Sequence, residues 1–163
     1  NHDYQKALDQ NLFIPIENTQ YVLVEFDVRK EIGNEQEIEE RLYDVQFKGY
    51  TPIIAHVERY FKDSLDIERI QDFIDNGYLI QVAFQLLDEG LIHVIATDTH
   101  RATGSRKPCL NKIFYLLEKK YNYHAIHTLM SENPLHILKN EWLEPVYARE
   151  SFFKKLAKKL KSK

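Results

Sequence analysis

The sequence predicts an α/β fold with a largely parallel sheet, and three observations carry the prediction. Apolar runs of strand length alternate with helical stretches, the runs are apolar almost without a break, and potential metal ligands stand just after three of them. These runs are Tyr21-Val22-Leu23-Val24 before Glu25, Pro52-Ile53-Ile54-Ala55 before His56, and Leu91 to Thr97 before Asp98, with His100 two residues on. Parallel strands bring their C-terminal ends to one rim, where α/β folds keep their chemistry. Glu25, His56, Asp98 and His100 therefore converge there, and such a donor set points to a metal-dependent hydrolase.

In chain order, the pattern predicts a helix near 2–11, a strand at 21–26, a helix at 35–48, a strand at 52–56, and a helix at 64–76 that Gly77 ends. Tyr78 to Val82 reads as a strand, Phe84 to Glu89 as a short helix stopped by Gly90, Leu91 to Ala96 as a strand, and Lys112 to Tyr121 as a helix. One joint departs from the pattern. Only nine residues separate Val82 from Ile92, whereas a parallel crossover with its helix takes at least about ten to twelve. Four strands also fall short of a closed barrel, which needs about 200 residues or more, so the sequence reads as part of a longer chain.

At 163 residues, 44% hydrophobic and 29% charged, the chain has the balance of one globular domain rather than a disordered or fibrous segment. A single cysteine, Cys109, excludes an internal disulfide and Cys-rich zinc modules; with no signal peptide recognisable, a reducing cytoplasm is expected. No apolar stretch approaches the roughly 20 residues that span a bilayer.

Charge is unevenly spread. Six of the 22 basic residues and none of the 25 acidic ones lie in 151–163, which leaves 16 basic against 25 acidic, a net −9, in 1–150. Phe152, Phe153, Leu156, Ala157 and Leu160 recur in the tail at spacings of three and four, which predicts an amphipathic helix with a lysine face. Such a tail suits peripheral contact with an anionic membrane at its inner face, or an acidic partner; a frayed, solubilising terminus is the alternative, since thirteen residues are marginal for an isolated helix. The chain divides accordingly into 1–150 and a Lys-rich tail, 151–163.

Carboxylate oxygen and neutral imidazole nitrogen suit Mn, Fe, Zn or Mg, ions that activate water and neutralise phosphate oxygens. Arg59, three residues after His56, and Arg106, six after His100, fall on loops leaving the rim, and guanidinium forks match phosphate oxygens. Each residue has a plainer reading as well. A lone His or acid at a strand end is ordinarily a loop or capping residue, but recurrence at three strand ends weighs against that. Arg59 has Glu58 and the acidic helix after it as ion-pair partners, and Arg101 and Lys107 compete with Arg106. His93 reads as a core or sheet residue, and His124, His127 and His136 fall in helical surroundings and receive no role.

Other chemistries fail on the sequence. A thiol phosphatase needs an Arg six residues after its Cys, and Tyr115 stands there after Cys109. No Gly-x-x-x-x-Gly-Lys loop, Gly-x-Gly-x-x-Gly turn or Gly-x-Ser-x-Gly elbow occurs. Residues 1–150 offer no basic surface for nucleic acid.

Three strand-end motifs, Tyr-Val-Leu-Val-Glu-Phe (21–26), Ile-Ile-Ala-His-Val-Glu-Arg-Tyr (53–60) and His-Val-Ile-Ala-Thr-Asp-Thr-His (93–100), together resemble the bacterial manganese-dependent tyrosine-protein phosphatases of the polymerase and histidinol phosphatase (PHP) superfamily, the CpsB/YwqE type found with capsular and exopolysaccharide genes. Arg106-Lys107-Pro108 and Glu132-Asn133-Pro134 resemble two later family motifs, so the resemblance covers about 1–140. The family's N-terminal His-x-His, further acidic and histidine ligands, and one strand-helix unit between Val82 and Ala83 have no counterpart in these residues. Val57 and Arg101 stand where many members have Pro and Asn.

The resemblance implies a PHP-type distorted (βα)7 TIM-like barrel, incomplete in this chain. It also implies that Glu25, His56, Asp98 and His100 hold Mn2+, and that Arg59 and Arg106 bind substrate phosphate. The implied substrate is phosphotyrosine on a bacterial tyrosine kinase that controls polysaccharide export. The alternatives are a catalytically silent PHP module that binds a phosphorylated partner, and a PHP phosphatase of small metabolites.

Overall fold

The computed structural model describes residues 2–26, 35–61, 65–81, 84–97, 99 and 110–146. Its framework is a three-stranded parallel sheet in the order β1 (Tyr21–Val24), β2 (Thr51–Ala55), β3 (Leu79–Gln81), which agrees with the predicted α/β class. Helix α1 (His2–Asp9) precedes the sheet, α2 (Glu35–Phe47) links β1 to β2, and a 3₁₀ turn (Val57–Tyr60) followed by α3 (Ile67–Asp75) links β2 to β3.

The strands alternate between two apolar clusters. Ile54 and Ile80 join Ile38 and Leu42 of α2 and Ile70 and Phe73 of α3 in the larger one. Tyr21, Ile53 and Leu79 point the other way, to Val94, Ile137 and Leu143. Burial on both faces explains why these strands read as unbroken apolar runs. The α2 residues Ile38, Leu42 and Val45 are buried at helical spacing, while Glu39, Glu40 and Tyr43 are exposed.

Both crossover helices stop in the same way. Gly49 (φ +88) and Gly77 (φ +84) take the left-handed conformation that a side chain disfavours. The next residue's N–H then reaches back into the helix, Tyr50 to the Val45 carbonyl (3.3 Å) and Tyr78 to the Phe73 carbonyl (3.0 Å). This is the Schellman closure, and it delivers the chain within two residues to the start of β2 and of β3. The Asp66 side chain caps the start of α3 by accepting from the Arg69 N–H (3.1 Å), so that helix begins at Ile67 rather than at 64.

The tight joint between Val82 and Ile92 holds a 3₁₀ turn, Phe84–Leu87, and Gly90 (φ +73), after which the Leu91 N–H donates to the Leu86 carbonyl (3.3 Å). Leu91–Ala96 is not the strand the sequence predicts. Among the described residues, Val94 alone of this segment makes a bridge, parallel to Gln81. The reason is His93: its N–H donates to the Ile80 carbonyl (3.1 Å), but the Ile80 N–H donates to the His93 ring Nδ1 (3.1 Å) instead of to a backbone carbonyl. After Val94 the chain leaves the sheet, and the Ile95 N–H donates to the Leu129 carbonyl (3.0 Å).

That carbonyl is free because of a proline. After α4 (Leu110–Leu117), α5 (Tyr123–His127), a π turn (Thr128–Glu132) and α6 (Asn133–Leu138) follow one another with right-handed dihedrals throughout. Pro134 has no N–H and disfavours a regular turn before it. The Asn133 N–H accordingly bonds the Thr128 carbonyl, and Leu129 is left to receive Ile95. Among the described residues, no helix is long and apolar enough to cross a membrane. The Lys-rich tail, 151–163, lies outside the described residues.

Candidate metal and phosphate site

The register fixes which residues meet at the rim. β1 and β2 run in step to Val24 and Ile54, and β2 and β3 to Ala55 and Gln81. The next residues off the first two strands are Glu25 and His56, with Gln81 closing the third. Two of the predicted ligands thus come to neighbouring strand ends. Asp98 and His100, the other two, and Arg106 lie outside the described residues, as do Arg101, Lys107 and Cys109.

His56 is not the last residue of an extended strand. Its backbone is left-handed (φ 52, ψ 44), a conformation that costs roughly 1–2 kcal/mol for a residue with a Cβ. Strain of this kind collects at functional sites. The turn stops β2 and starts the 3₁₀ turn, with the Arg59 N–H donating to the His56 carbonyl (2.9 Å). Val57, fully buried, anchors that turn from below.

Arg59 is brought back over the end of β1, where its Nη1 lies 3.3 Å from Glu25 Oε1. Among the described residues its ion pair is with Glu25, not with Glu58 or α3. The pair is open to solvent, with side-chain exposures of 44% and 55%, so it contributes little to stability and exchanges partners readily.

The rim also holds acceptors that find no donor among the described residues. Glu58 Oε2 and Gln81 Oε1 are both buried and have no hydrogen-bond partner among the described residues, while Glu58 Oε1 lies 3.9 Å from His56 Nδ1. Buried polar atoms are nearly always satisfied, and a carboxylate oxygen near the His56 imidazole is a donor type that fits a divalent cation with its water. Among the described residues, no group of three or more His, Cys, Asp or Glu side chains gathers into a complete metal cage.

Tyr60 was not singled out by the sequence beyond its place in the motif. Its hydroxyl donates to the Ala55 carbonyl (2.7 Å) and accepts from the Phe26 N–H (3.0 Å). Burial pushes the phenol up to about 12; the Phe26 N–H pulls it back and the charges of Glu25 and Glu58 add to the rise. It therefore stays a donor at neutral pH.

The His93–Ile95 segment is tied to the π turn and the start of α6. The buried Asn133 donates from Nδ2 to the His93 carbonyl (2.6 Å). Glu132 accepts from the Thr128 hydroxyl (2.5 Å), which holds its carboxyl below the usual range, with His127 at 3.3 Å adding to the effect. His93 is the core residue the sequence predicts, at 1% exposure, and burial lowers its imidazole to about 4. A cavity of about 490 Å³ lined by His124, His136, Trp142 and Glu144, among others, includes none of Glu25, His56 and Arg59.

A parallel sheet whose C-terminal rim presents a carboxylate, an imidazole and a guanidinium defines the class: an α/β protein with a candidate metal and phosphate site. The chain belongs to the family described as "Capsular polysaccharide synthesis, CpsB/CapC", which matches residues 1–139. It is similar to the tyrosine-protein phosphatase CpsB of Streptococcus pneumoniae, at 25% identity over 160 residues, covering 85% of this chain and 64% of that protein. Tyrosine-protein phosphatase YwqE of Bacillus subtilis is 24% identical over 171 residues, covering 92% and 65%. A chain from the crystal structures of YwqE and CpsB, described there as unique metal-dependent tyrosine phosphatases, superposes with a TM-score of 0.70 at 24% identity. It covers 90% of this chain and 65% of the other, so the two share a fold. This chain spans between about half and two thirds of the length of the relatives it matches, from 54% to 65%.

Proposed function

We propose that this chain carries part of a metal-dependent protein-tyrosine phosphatase with a PHP-type distorted (βα)7 barrel. Its substrate is phosphotyrosine on a bacterial tyrosine kinase that regulates capsular or exopolysaccharide synthesis. The observation that carries the reading is the rim: Glu25 and His56 leave adjacent parallel strands, His56 is held in a left-handed turn, and Arg59 follows three residues later.

Glu25 and His56 would hold the cation together with Asp98 and His100, with Mn2+ as the first choice and Fe, Zn or Mg open to the same donors. The cation supplies Lewis acidity: it lowers the pKa of water and offsets phosphoryl charge. The chain's own side chains bind and orient. Arg59 exchanges its exposed contact with Glu25 for the phosphoryl oxygens, Arg106 provides a second fork, and the two hold phosphorus in line with the attacking water. The domain, 1–150, works in the cytoplasm, and the Lys-rich tail, 151–163, rests on the inner face of the membrane beside the kinase.

The test is hydrolysis of a phosphotyrosine peptide by the full-length protein with added divalent metal, beside His56→Ala and Asp98→Ala. The parent should release phosphate, and each variant should lose about 100-fold or more. Turnover of a sugar phosphate but not of the peptide favours the small-metabolite phosphatase. Peptide binding without metal or turnover favours the silent module.

A further inference from the structure

We propose that Tyr60 is a positioning residue for the metal site, and that its hydroxyl holds the ends of β1 and β2 at the separation that lets Glu25 and His56 share a cation. The inference rests on the assignment of Glu25 and His56 as ligands made above.

The two hydrogen bonds of the hydroxyl flank those two residues in the chain. The Phe26 N–H that it receives (3.0 Å) belongs to the residue after Glu25, and the Ala55 carbonyl to which it donates (2.7 Å) belongs to the residue before His56. β1 ends at Val24 and β2 at Ala55, so no further ladder bond ties the two strands where the ligands stand. One phenol oxygen takes over the tie. Its ring is fixed in turn by Phe26, edge to face at 5.4 Å and 80°.

The route to that position explains the left-handed turn at His56. The 3₁₀ turn Val57–Tyr60 folds back on β2, so the fifth residue after Ala55 reaches the Ala55 carbonyl. An extended exit from β2 would carry Tyr60 away from both partners. The same turn places Arg59 over Glu25 (3.3 Å), so the ligand pair and the phosphate fork are set by one local structure.

A fully buried tyrosine serves as the control. Tyr21, at the start of β1, donates its hydroxyl to the Glu141 carbonyl at the opposite end of the sheet. Tyr60→Phe and Tyr21→Phe each delete one hydroxyl and keep the ring. Binding of Mn2+ and Zn2+ to the full-length protein, measured by competition with a chromophoric chelator, separates their roles. Tyr60→Phe should weaken metal binding on the order of tenfold, speed hydrogen exchange at the Phe26 amide, and lower kcat at subsaturating metal with KM for the peptide within about twofold. Tyr21→Phe should lose stability to urea while keeping the parent's metal affinity. Equal metal affinity in Tyr60→Phe and the parent overturns the inference and leaves the proposed function standing, as does a loss in both variants that only follows their stability. A parent protein that binds neither metal overturns both.

Discussion

Arg59 Nη1 and Glu25 Oε1 lie 3.3 Å apart at the C-terminal rim of the sheet, so the guanidinium assigned to phosphate rests on a carboxylate assigned to metal. Both side chains are well exposed, and a pair of this kind contributes about 0–1 kcal/mol. Arg59→Ala should therefore leave urea stability within about 0.5 kcal/mol of the parent. On a phosphotyrosine peptide its kcat/KM should fall by about 10- to 100-fold, the scale of one charge-assisted contact. Arg59→Lys should recover only part, because it keeps the charge and loses the fork. Wild-type kcat/KM in Arg59→Ala would remove Arg59 from the site.

His56 lends itself to a paired substitution. His56→Ala removes the imidazole and keeps a Cβ in the left-handed backbone, whereas His56→Gly removes both the ring and the strain. His56→Gly should be more stable than His56→Ala by about 1 kcal/mol despite glycine's greater freedom in the unfolded chain. Both should lose metal-dependent turnover. Equal or reversed stabilities in thermal unfolding would place the His56 backbone outside the left-handed region.

The His93 imidazole is held down to about 4 by burial, below its ordinary 6.5. Between those values the unfolded chain takes up a proton that the folded chain refuses. Stability is thus full above about pH 6.5 and declines as the pH falls toward 4, by at most about 3 kcal/mol. Urea titrations from pH 4 to 7 measure the slope, and His93→Leu should flatten its share of it. An unchanged slope in that variant would refute the assignment.

Asn133 is buried and its Nδ2 is the donor to the His93 carbonyl. Asn133→Ala leaves that carbonyl unpaired and should cost about 2 kcal/mol. Asn133→Asp should be no better, since the carboxylate offers no donor. If the structural tie also serves the residues before Asp98, the alanine variant should show faster hydrogen exchange at the Ile95 amide than at Ile53 or Ile54 of β2.

The parts legible in the sequence are those written in periodicity and in glycine. Ile38, Leu42 and Val45 mark the buried face of α2, Gly49 and Gly77 mark the ends of two helices, and the apolar runs of β1 and β2 place Glu25 and His56 at one rim. What escaped the sequence is carried by side chains that replace backbone partners. The ring of His93 takes the Ile80 N–H and ends the expected fourth strand after a single bridge. The Tyr60 hydroxyl ties two strands where no ladder bond remains, and Pro134 frees the Leu129 carbonyl for Ile95. A polar residue inside an apolar strand, as Gln81 is, was the one available signal for a rim acceptor with no donor among the described residues.

The most direct measurement is the divalent metal content of the purified full-length protein, by elemental mass spectrometry, beside the double variant His56→Ala/Asp98→Ala. The account predicts at least one equivalent of divalent metal bound by the parent and a loss of most of it in the variant, with the fold retained by circular dichroism. A parent without bound metal after incubation with Mn2+, Zn2+ or Fe2+, or a variant that keeps the parent's full complement, would contradict it.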